Sequence, residues 1–185
     1  MTAETSRDPL ASRSDDLADV ARRTGGRVSI EAEPFRAQVS LRLDPSLAPH
    51  APFPLPLEPN TVTEAGGRSA LWLGPDEWLV LGPAHGGGAI VAELEAALDG
   101  LHRSVVDVSA NRAAVVLGGP DRLRLLAGGC PIDLHPRAWS AGMCAQTLFA
   151  KTQVILHERP AGITGLLVRP SFAAYLVDRL IADLD

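Results

Sequence analysis

Val39, Leu41 and Leu43 alternate with Ser40 and Arg42, the two-residue period of a half-buried strand. Pro45, Pro49, Pro52, Pro54, Pro56 and Pro59 then break that rhythm. Proline lacks a backbone N–H and holds its predecessor extended, so this stretch is expected to cross a surface as neither helix nor central strand. Phe53, Leu55 and Leu57 within it suit a groove, either on the chain's own body or on a partner. Residues 61–65 form a short strand, closed by Gly66-Gly67. Two apolar runs between Leu71 and Leu81 flank Gly74-Pro75-Asp76-Glu77, the pattern of a hairpin. Trp72 and Trp78 sit one in each run and are expected on opposite faces or in different parts of the core.

After Gly86-Gly87-Gly88 the period lengthens. Ile90, Leu94 and Leu98 recur at i, i+4 and i+8, with Val91 and Leu101 extending the stripe, which predicts a helix over 89–99 ended by Gly100. Strands follow over 104–108 and 113–117, then a turn at Gly118-Gly119-Pro120 and a short helix over 121–127 that leaves through Gly128-Gly129. Residues 145–149 and 152–157 make a hairpin, and 164–168 another strand. Phe172, Leu176, Leu180 and Leu184 predict a final helix, with Ser171 as its N-cap. The same order of elements occurs twice. The fold class is therefore α+β: two ferredoxin-like (split βαβ) lobes with mostly antiparallel sheet. The expected boundaries are a polar N-terminal tail over 1–26 and a domain over 27–185, with lobes at about 27–110 and 111–185. A weak helical pattern over Leu10, Leu17 and Val20 lies within the tail. A mobile tail is the favoured reading over an arm that orders on a partner.

Composition changes this picture by exclusion. The 185 residues carry a net charge of −5, and Lys151 is the only lysine. Without a basic cluster, a nucleic-acid partner is not expected. No apolar run approaches the ~20 residues that span a bilayer, and the first 26 residues contain no secretory leader, so a cytoplasmic location is expected. Cys130 and Cys144 are too far apart for a CxxC pair and read as buried free thiols. The five histidines fall into no metal-ligand spacing.

Candidate chemistry is sparse. The glycines after Leu81 do not match a phosphate-binding loop, since no Lys follows and Val91 stands where a dinucleotide fingerprint needs Gly or Ala. Asp107 and Ser109 lie at a strand exit near Asn111 and Arg112, where such side chains usually bond their own backbone. Asp121 suits the positive end of a helix. Trp139, in a polar loop, is either a lid over the core or a partner contact. No catalytic, cofactor-binding or metal-binding residue is assigned. Such a chain reads as a binding or assembly component, and whether it is an enzyme in its own right stays open.

Three stretches taken together resemble a known family. They are Trp72-Leu73-Gly74-Pro75-Asp76-Glu77-Trp78-Leu79, Val105-Val106-Asp107-Val108-Ser109-Ala110-Asn111-Arg112 and Leu117-Gly118-Gly119-Pro120-Asp121, with Gly129-Cys130-Pro131-Ile132-Asp133-Leu134 and the last helix after them. The chain from about Val28 onward resembles the gamma subunit of heterotetrameric sarcosine oxidase. That family is similar to the folate-binding T-protein of the glycine cleavage system, whose Asp-x-Ser strand exit and Gly-x-Asp helix entry match Asp107-Val108-Ser109 and Gly119-Pro120-Asp121. The T-protein pattern places a catalytic aspartate in a later hairpin, but the comparable stretch, Phe149-Ala150-Lys151-Thr152-Gln153-Val154, has no carboxylate.

The resemblance implies a non-catalytic assembly subunit of a complex that oxidises sarcosine to glycine, with tetrahydrofolate accepting the one-carbon unit. It implies a large (alpha) subunit as main partner and beta and delta subunits in the same complex. FAD, FMN, NAD and tetrahydrofolate would sit on those partners and none on this chain. Trp72, Gly74, Pro75, Asp76, Trp78, Asp107, Ser109, Arg112, Gly118, Asp121 and Trp139 become structural or interface candidates. The competing reading is a stand-alone folate-binding or aminomethyltransferase-like protein.

Overall fold

The computed structural model describes residues 8–184. They fall into two units, and the division does not follow the two halves of the chain. The first unit takes the described residues up to Phe35, Ala110–Ala141 and residues 146–184; the second takes Arg36–Ser109 and Gly142–Ala145. Lobes at 27–110 and 111–185 are therefore corrected at both ends, because the N-terminal segment pairs with strands of the later half.

In the second unit, β2 (Arg36–Leu43), β3 (Val62–Ala65), β4 (Arg68–Gly74), β5 (Glu77–Ala84) and β6 (Arg103–Asp107) form a sheet in the order β3-β4-β5-β2-β6. Helix α2 (Gly87–Ala97) connects β5 to β6 while β2 lies between them, which is a split βαβ unit. Each pairing in the sheet is antiparallel. Ile90, Leu94 and Leu98 bury the helix stripe in a cluster with Ala37, Val39, Leu41 and Val80.

The hairpin corrects one expectation. Trp72 stands directly opposite Trp78 in the register, and directly paired residues of antiparallel strands share a face. Opposite faces are thus ruled out. The two side chains differ in depth instead: Trp78 is fully buried and Trp72 half-buried. A register shift between Trp72 and Gly74 precedes the turn, where Pro75 and Asp76 are exposed.

The proline-dense segment settles on its own unit. Phe53 and Leu55 are buried in the cluster that contains Trp78, and Trp78 Nε1 donates to Pro56 O at 2.7 Å. Arg68 lies over the Phe53 ring, 5.3 Å from its centroid. Leu57, the third apolar residue, stays 58% exposed. The expectation of no helix here fails over Pro45–His50, a short 3-10 stretch. Its first position is a proline, which sacrifices no hydrogen bond there. Asp44 caps it by accepting from Ser46 N at 2.8 Å, and the two Ser46 hydrogen bonds hold the Asp44 carboxyl below its usual range.

β1 (Ser29–Ala32), β7 (Ala113–Gly118), β8 (Cys144–Phe149), β9 (Thr152–Arg159) and β10 (Ile163–Val168) form a sheet in the order β1-β7-β10-β9-β8, which belongs to the first unit apart from Cys144 and Ala145 at the start of β8. Helices α1 (Ser14–Arg23), α3 (Arg122–Ala127) and α4 (Pro170–Ala182) complete it. The tail expected over 1–26 holds α1 among its described residues, with Leu17 and Val20 buried. Asp15 and Asp16 in its first turn and Arg22 and Arg23 in its last complement the helix dipole. Gly26 N donates to Ala21 O and Gly25 N to Arg22 O, a Schellman ending that links α1 to β1. The final helix starts at Pro170 rather than behind Ser171, and Arg169 in the cap position makes no side-chain cap bond.

Trp78→Ala is expected to cost about 3–5 kcal/mol, because it removes a fully buried indole and leaves Pro56 O without its donor. Trp72→Ala should cost distinctly less. Urea unfolding followed by far-UV circular dichroism checks both, and equal costs would contradict the difference in depth.

Candidate functional site

The strand exit after β6 is a knot of hydrogen bonds. Asp107 Oδ1 accepts from Ser109 N at 2.9 Å and from Ser109 Oγ at 2.5 Å. Ser109 Oγ in turn accepts from Gln38 N at 3.0 Å, and Val108 N donates to Gln38 O at 2.8 Å. The other carboxylate oxygen points to the start of α2: a Cβ added at Gly87 would lie 2.2 Å from Asp107 Oδ2. Glycine is required here by close approach. Asp107 and Ser109 thus tie the end of β6 to β2, with the negative carboxylate lying beside the positive end of α2.

The second glycine-rich entry is also scaffolding. Gly119 has φ +92°, and a Cβ there would stand 2.4 Å from Arg27 O. A Cβ on Gly118 would meet Ser29 Oγ at 2.6 Å. Asp121 makes no side-chain cap for α3; its carboxylate instead takes a two-pronged contact from Arg27 at 2.6 and 2.7 Å. Asp121 still stands at the N-terminal cap position of α3, at the positive helix end. Asp76 and Glu77 at the hairpin turn hold Arg42, at 3.2 and 2.8 Å. These exposed pairs contribute little stability.

Trp139 is a lid over the core. It is 4% exposed, and its Nε1 donates to Glu158 Oε2 at 3.1 Å. Glu158, itself 3% exposed, also accepts from Thr164 Oγ1 at 2.5 Å and is paired with Arg122. Arg122 further donates to Thr164 Oγ1 at 3.2 Å and to Gly119 O at 3.3 Å. This network joins β9, β10, α3 and the Trp139 loop within one unit, and the reading of the sequence missed Glu158, Arg122 and Thr164. An acidic residue in a strand that is otherwise apolar from Val154 to Leu156 was the available signal. Nearby, Arg159 grips Glu33 with two bonds of 2.7 Å.

Arg112 lines a cavity of about 490 Å³ in the first unit, together with Arg169, Gln146, Gln153, Leu148 and Ile155. The residues marked in the sequence are divided between the units: Trp72 to Ser109 belong to one, Arg112 to Asp121 and Trp139 to the other. The turn between β8 and β9 carries Ala150 and Lys151 and no carboxylate. Among the described residues, no group of three or more His, Cys, Asp or Glu is placed to hold a metal ion, and no helix is long and apolar enough to cross a membrane. Burial pushes the Cys130 thiol up to about 11 and the Cys144 thiol up to about 12, and Cys144 Sγ sits 3.4 Å from the Thr61 and Trp72 carbonyl oxygens.

Comparison with known proteins gives a consistent result. The model of the family described as sarcosine oxidase, gamma subunit family matches residues 43–183. A sarcosine oxidase subunit gamma from an Arthrobacter species is 37% identical over 165 residues, covering 85% of this chain and 80% of the relative. One from Corynebacterium sp. (strain U-96) is 33% identical over 161 residues, covering 83% and 78%. Among solved structures, a chain of the heterotetrameric sarcosine oxidase from Corynebacterium sp. U-96, in complex with pyrrole 2-carboxylate, superposes with a TM-score of 0.86 at 30% identity, covering 98% of this chain and 95% of that one. The glycine cleavage system aminomethyltransferase T from Bartonella henselae has a TM-score of 0.70 at 14% identity, covering 95% of this chain and 56% of that one, a likeness of fold.

Two measurements check this geometry. Arg122→Met is expected to destabilise the chain by about 3–5 kcal/mol, since it strands a buried carboxylate, and Arg122→Met with Glu158→Gln should recover much of that loss. Denaturant midpoints of the cycle decide it; a double variant no better than the single would contradict the coupling. The thiols give a pH dependence. Their raised values favour the neutral form in the fold, so their contribution is fully present below about pH 9 and is lost as pH rises towards 11–12. At pH 8 the native chain should leave both thiols unreacted with a disulfide reagent that labels them at once in urea.

Proposed function

The chain belongs to the sarcosine oxidase gamma subunit family, and from that premise we propose that it is a non-catalytic assembly subunit of a heterotetrameric sarcosine oxidase. In this reading it packs against the large (alpha) subunit, with beta and delta subunits completing the complex in the cytoplasm. FAD, FMN, NAD and tetrahydrofolate are held by those partners, and the complex demethylates sarcosine to glycine. This chain supplies buried surface and fixed geometry to the complex.

The observation that carries the reading is what the marked polar groups do. Asp107 spends one carboxylate oxygen on Ser109 and has the other beside Gly87 at the start of α2. Asp121 is bound to Arg27, and Trp139 is sealed onto Glu158. A general acid or base must reach the proton it moves. These groups face their own scaffold instead. A stand-alone folate-dependent enzyme would need a carboxylate that the turn between β8 and β9 lacks.

The test is co-expression of this chain with the other three subunits of the complex. The full set should yield a flavin-carrying oxidase that retains this chain through affinity purification, and omission of the chain should lower the yield of assembled enzyme. Asp107→Asn is expected to reduce thermal stability and, through it, assembly, while the assembled enzyme keeps its turnover number. A lone monomer beside a fully active oxidase formed without it would refute the proposal, as would loss of turnover in an assembled Asp107→Asn complex. Heat evolved on titrating the isolated chain with tetrahydrofolate would favour the folate-binding reading instead.

A further inference from the structure

The sheet of the second unit ends on β3 at one side and on β6 at the other. The chain closes the β3 side itself: Val62 N donates to Gly142 O and Cys144 N to Asn60 O, both at 2.8 Å, and Thr61 bridges to Met143. The β6 side is open. Residues along a central strand turn their N–H and C=O groups alternately to one neighbour and the other. Leu43 N donates to Asp76 O, so the odd positions of β2 serve β5. Val108 N donates to Gln38 O, so the even positions serve β6. Since Ser40 stands opposite Val106 and Arg42 opposite Ser104, it is Arg103, Val105 and Asp107 that aim their backbone away from the sheet. Among the described residues, nothing bonds the backbone of Val105 or Asp107 on that side. Edges are commonly blunted by lysine, proline or a bulge. Ser104-Val105-Val106 contains none of these, its register with β2 is unbroken, and Val106 is 49% exposed. The ends of the strand differ in charge. Arg103 is seated on Glu95, whereas Asp107, exposed and bonded by Ser109, meets no Arg, Lys or His among the described residues.

We propose that β6 receives an extended segment of the subunit on which the chain assembles, added to this sheet as a sixth strand. The inference rests on the assembly reading above and gives it a surface. Backbone donors and acceptors recurring every second residue fit another extended chain, whose own N–H and C=O groups lie in the same rhythm. A helix bonds its backbone internally and cannot answer them. The row from Arg103 to Asp107 is about 13 Å long, a strand's reach rather than a small molecule's. The side chains set the chemistry of the segment. Val105, half-buried, and Val106, exposed, lie on opposite faces of β6 and suit apolar or β-branched residues at its centre. Asp107 suits a Lys or Arg across from it, and with Arg103 already paired the segment carries its charge at the Asp107 end. A second copy of this chain fits less well. Two β6 strands related by a twofold at Val105 would set Arg103 opposite Asp107, but Arg103 is held by Glu95 and by Leu101 O.

The experiment compares the isolated full-length chain with the co-expressed complex. Amide hydrogen exchange at Val105 and Asp107 should be fast in the isolated chain and at least about tenfold slower in the complex. Val106→Lys leaves the bonds to β2 in place and puts a charge on the exposed edge. Val105→Pro removes an N–H that β2 does not use. Both should assemble about tenfold more weakly, while Val106→Thr assembles as the wild type does. Val106→Lys should melt at the wild-type temperature, and it carries the test alone if Val105→Pro fails to fold. Asp107→Asn, compared at equal folded fraction, should flatten the dependence of assembly on salt. Unslowed exchange at Val105 and Asp107 in the complex overturns the proposal, as does wild-type affinity in Val106→Lys. A salt dependence unchanged by Asp107→Asn overturns the basic residue assigned to the segment. A dimer of the isolated chain, seen by light scattering and abolished by Val106→Lys while assembly is untouched, would make a second copy the occupant and overturn the proposal too. Failure of the wild-type chain to assemble overturns the assembly reading and this inference together, whereas intact assembly of every variant overturns this inference alone.

Discussion

The first unit depends on a carboxylate that has almost no access to water. Glu158 sits in a strand between two others, and an ionised carboxylate there is tolerable only when it is paired and fully hydrogen-bonded. Arg122 supplies the charge from α3, Thr164 a hydroxyl from β10, and Trp139 an indole N–H from the connecting loop. Each donor comes from a different piece of chain, so satisfying one group fixes the positions of three. Packing of apolar side chains tolerates substitution and small shifts. A polar network of this kind does not, and it specifies one arrangement of α3 and the loop over the sheet.

The second unit solves the same problem by closing apolar surface. Trp78 occupies the centre of its cluster, and the proline-dense segment covers it with Phe53 and Leu55 while Pro56 O accepts the indole proton. Prolines suit this task because they hold the chain extended in the unfolded state as well, which lowers the entropy lost on docking. Asp107 and Ser109 pin the end of β6 to β2 beside the start of α2. Both units therefore use few polar groups, placed where a helix meets its sheet, to fix geometry that apolar contacts alone would leave adjustable.

Periodicity and glycine placement made most elements legible from the residues: the hairpin around Pro75, the stripe of Ile90, Leu94 and Leu98, and the meander ending at Val168. The misses have specific causes. α1 is short, and its stripe amounts to Leu17 and Val20, too little to outweigh a polar composition until β1 is seen beside it. The shared face of Trp72 and Trp78 depends on how the strands register across a turn with an irregularity at Gly74, and side-chain alternation along one strand does not determine pairing with the next. Glu158 and Arg122 are 36 residues apart, and a pairing over that distance leaves no local trace. The lobe division has the same cause, since β1 pairs with β7, Ser29 standing opposite Gly118.

The marked motifs acquire a common meaning from these contacts. Asp107, Ser109, Gly118, Gly119 and Asp121 look like the furniture of a catalytic site when read as a string, because Asp, Ser and Gly at strand exits and helix entries also build active sites. Their geometry separates the two uses. A general acid or base must reach the proton it moves; Asp107, which is exposed, has one oxygen bonded by Ser109 and the other beside Gly87, and Asp121 is bound by Arg27. Such residues hold a fold shared with the aminomethyltransferase, and fold does not carry activity with it.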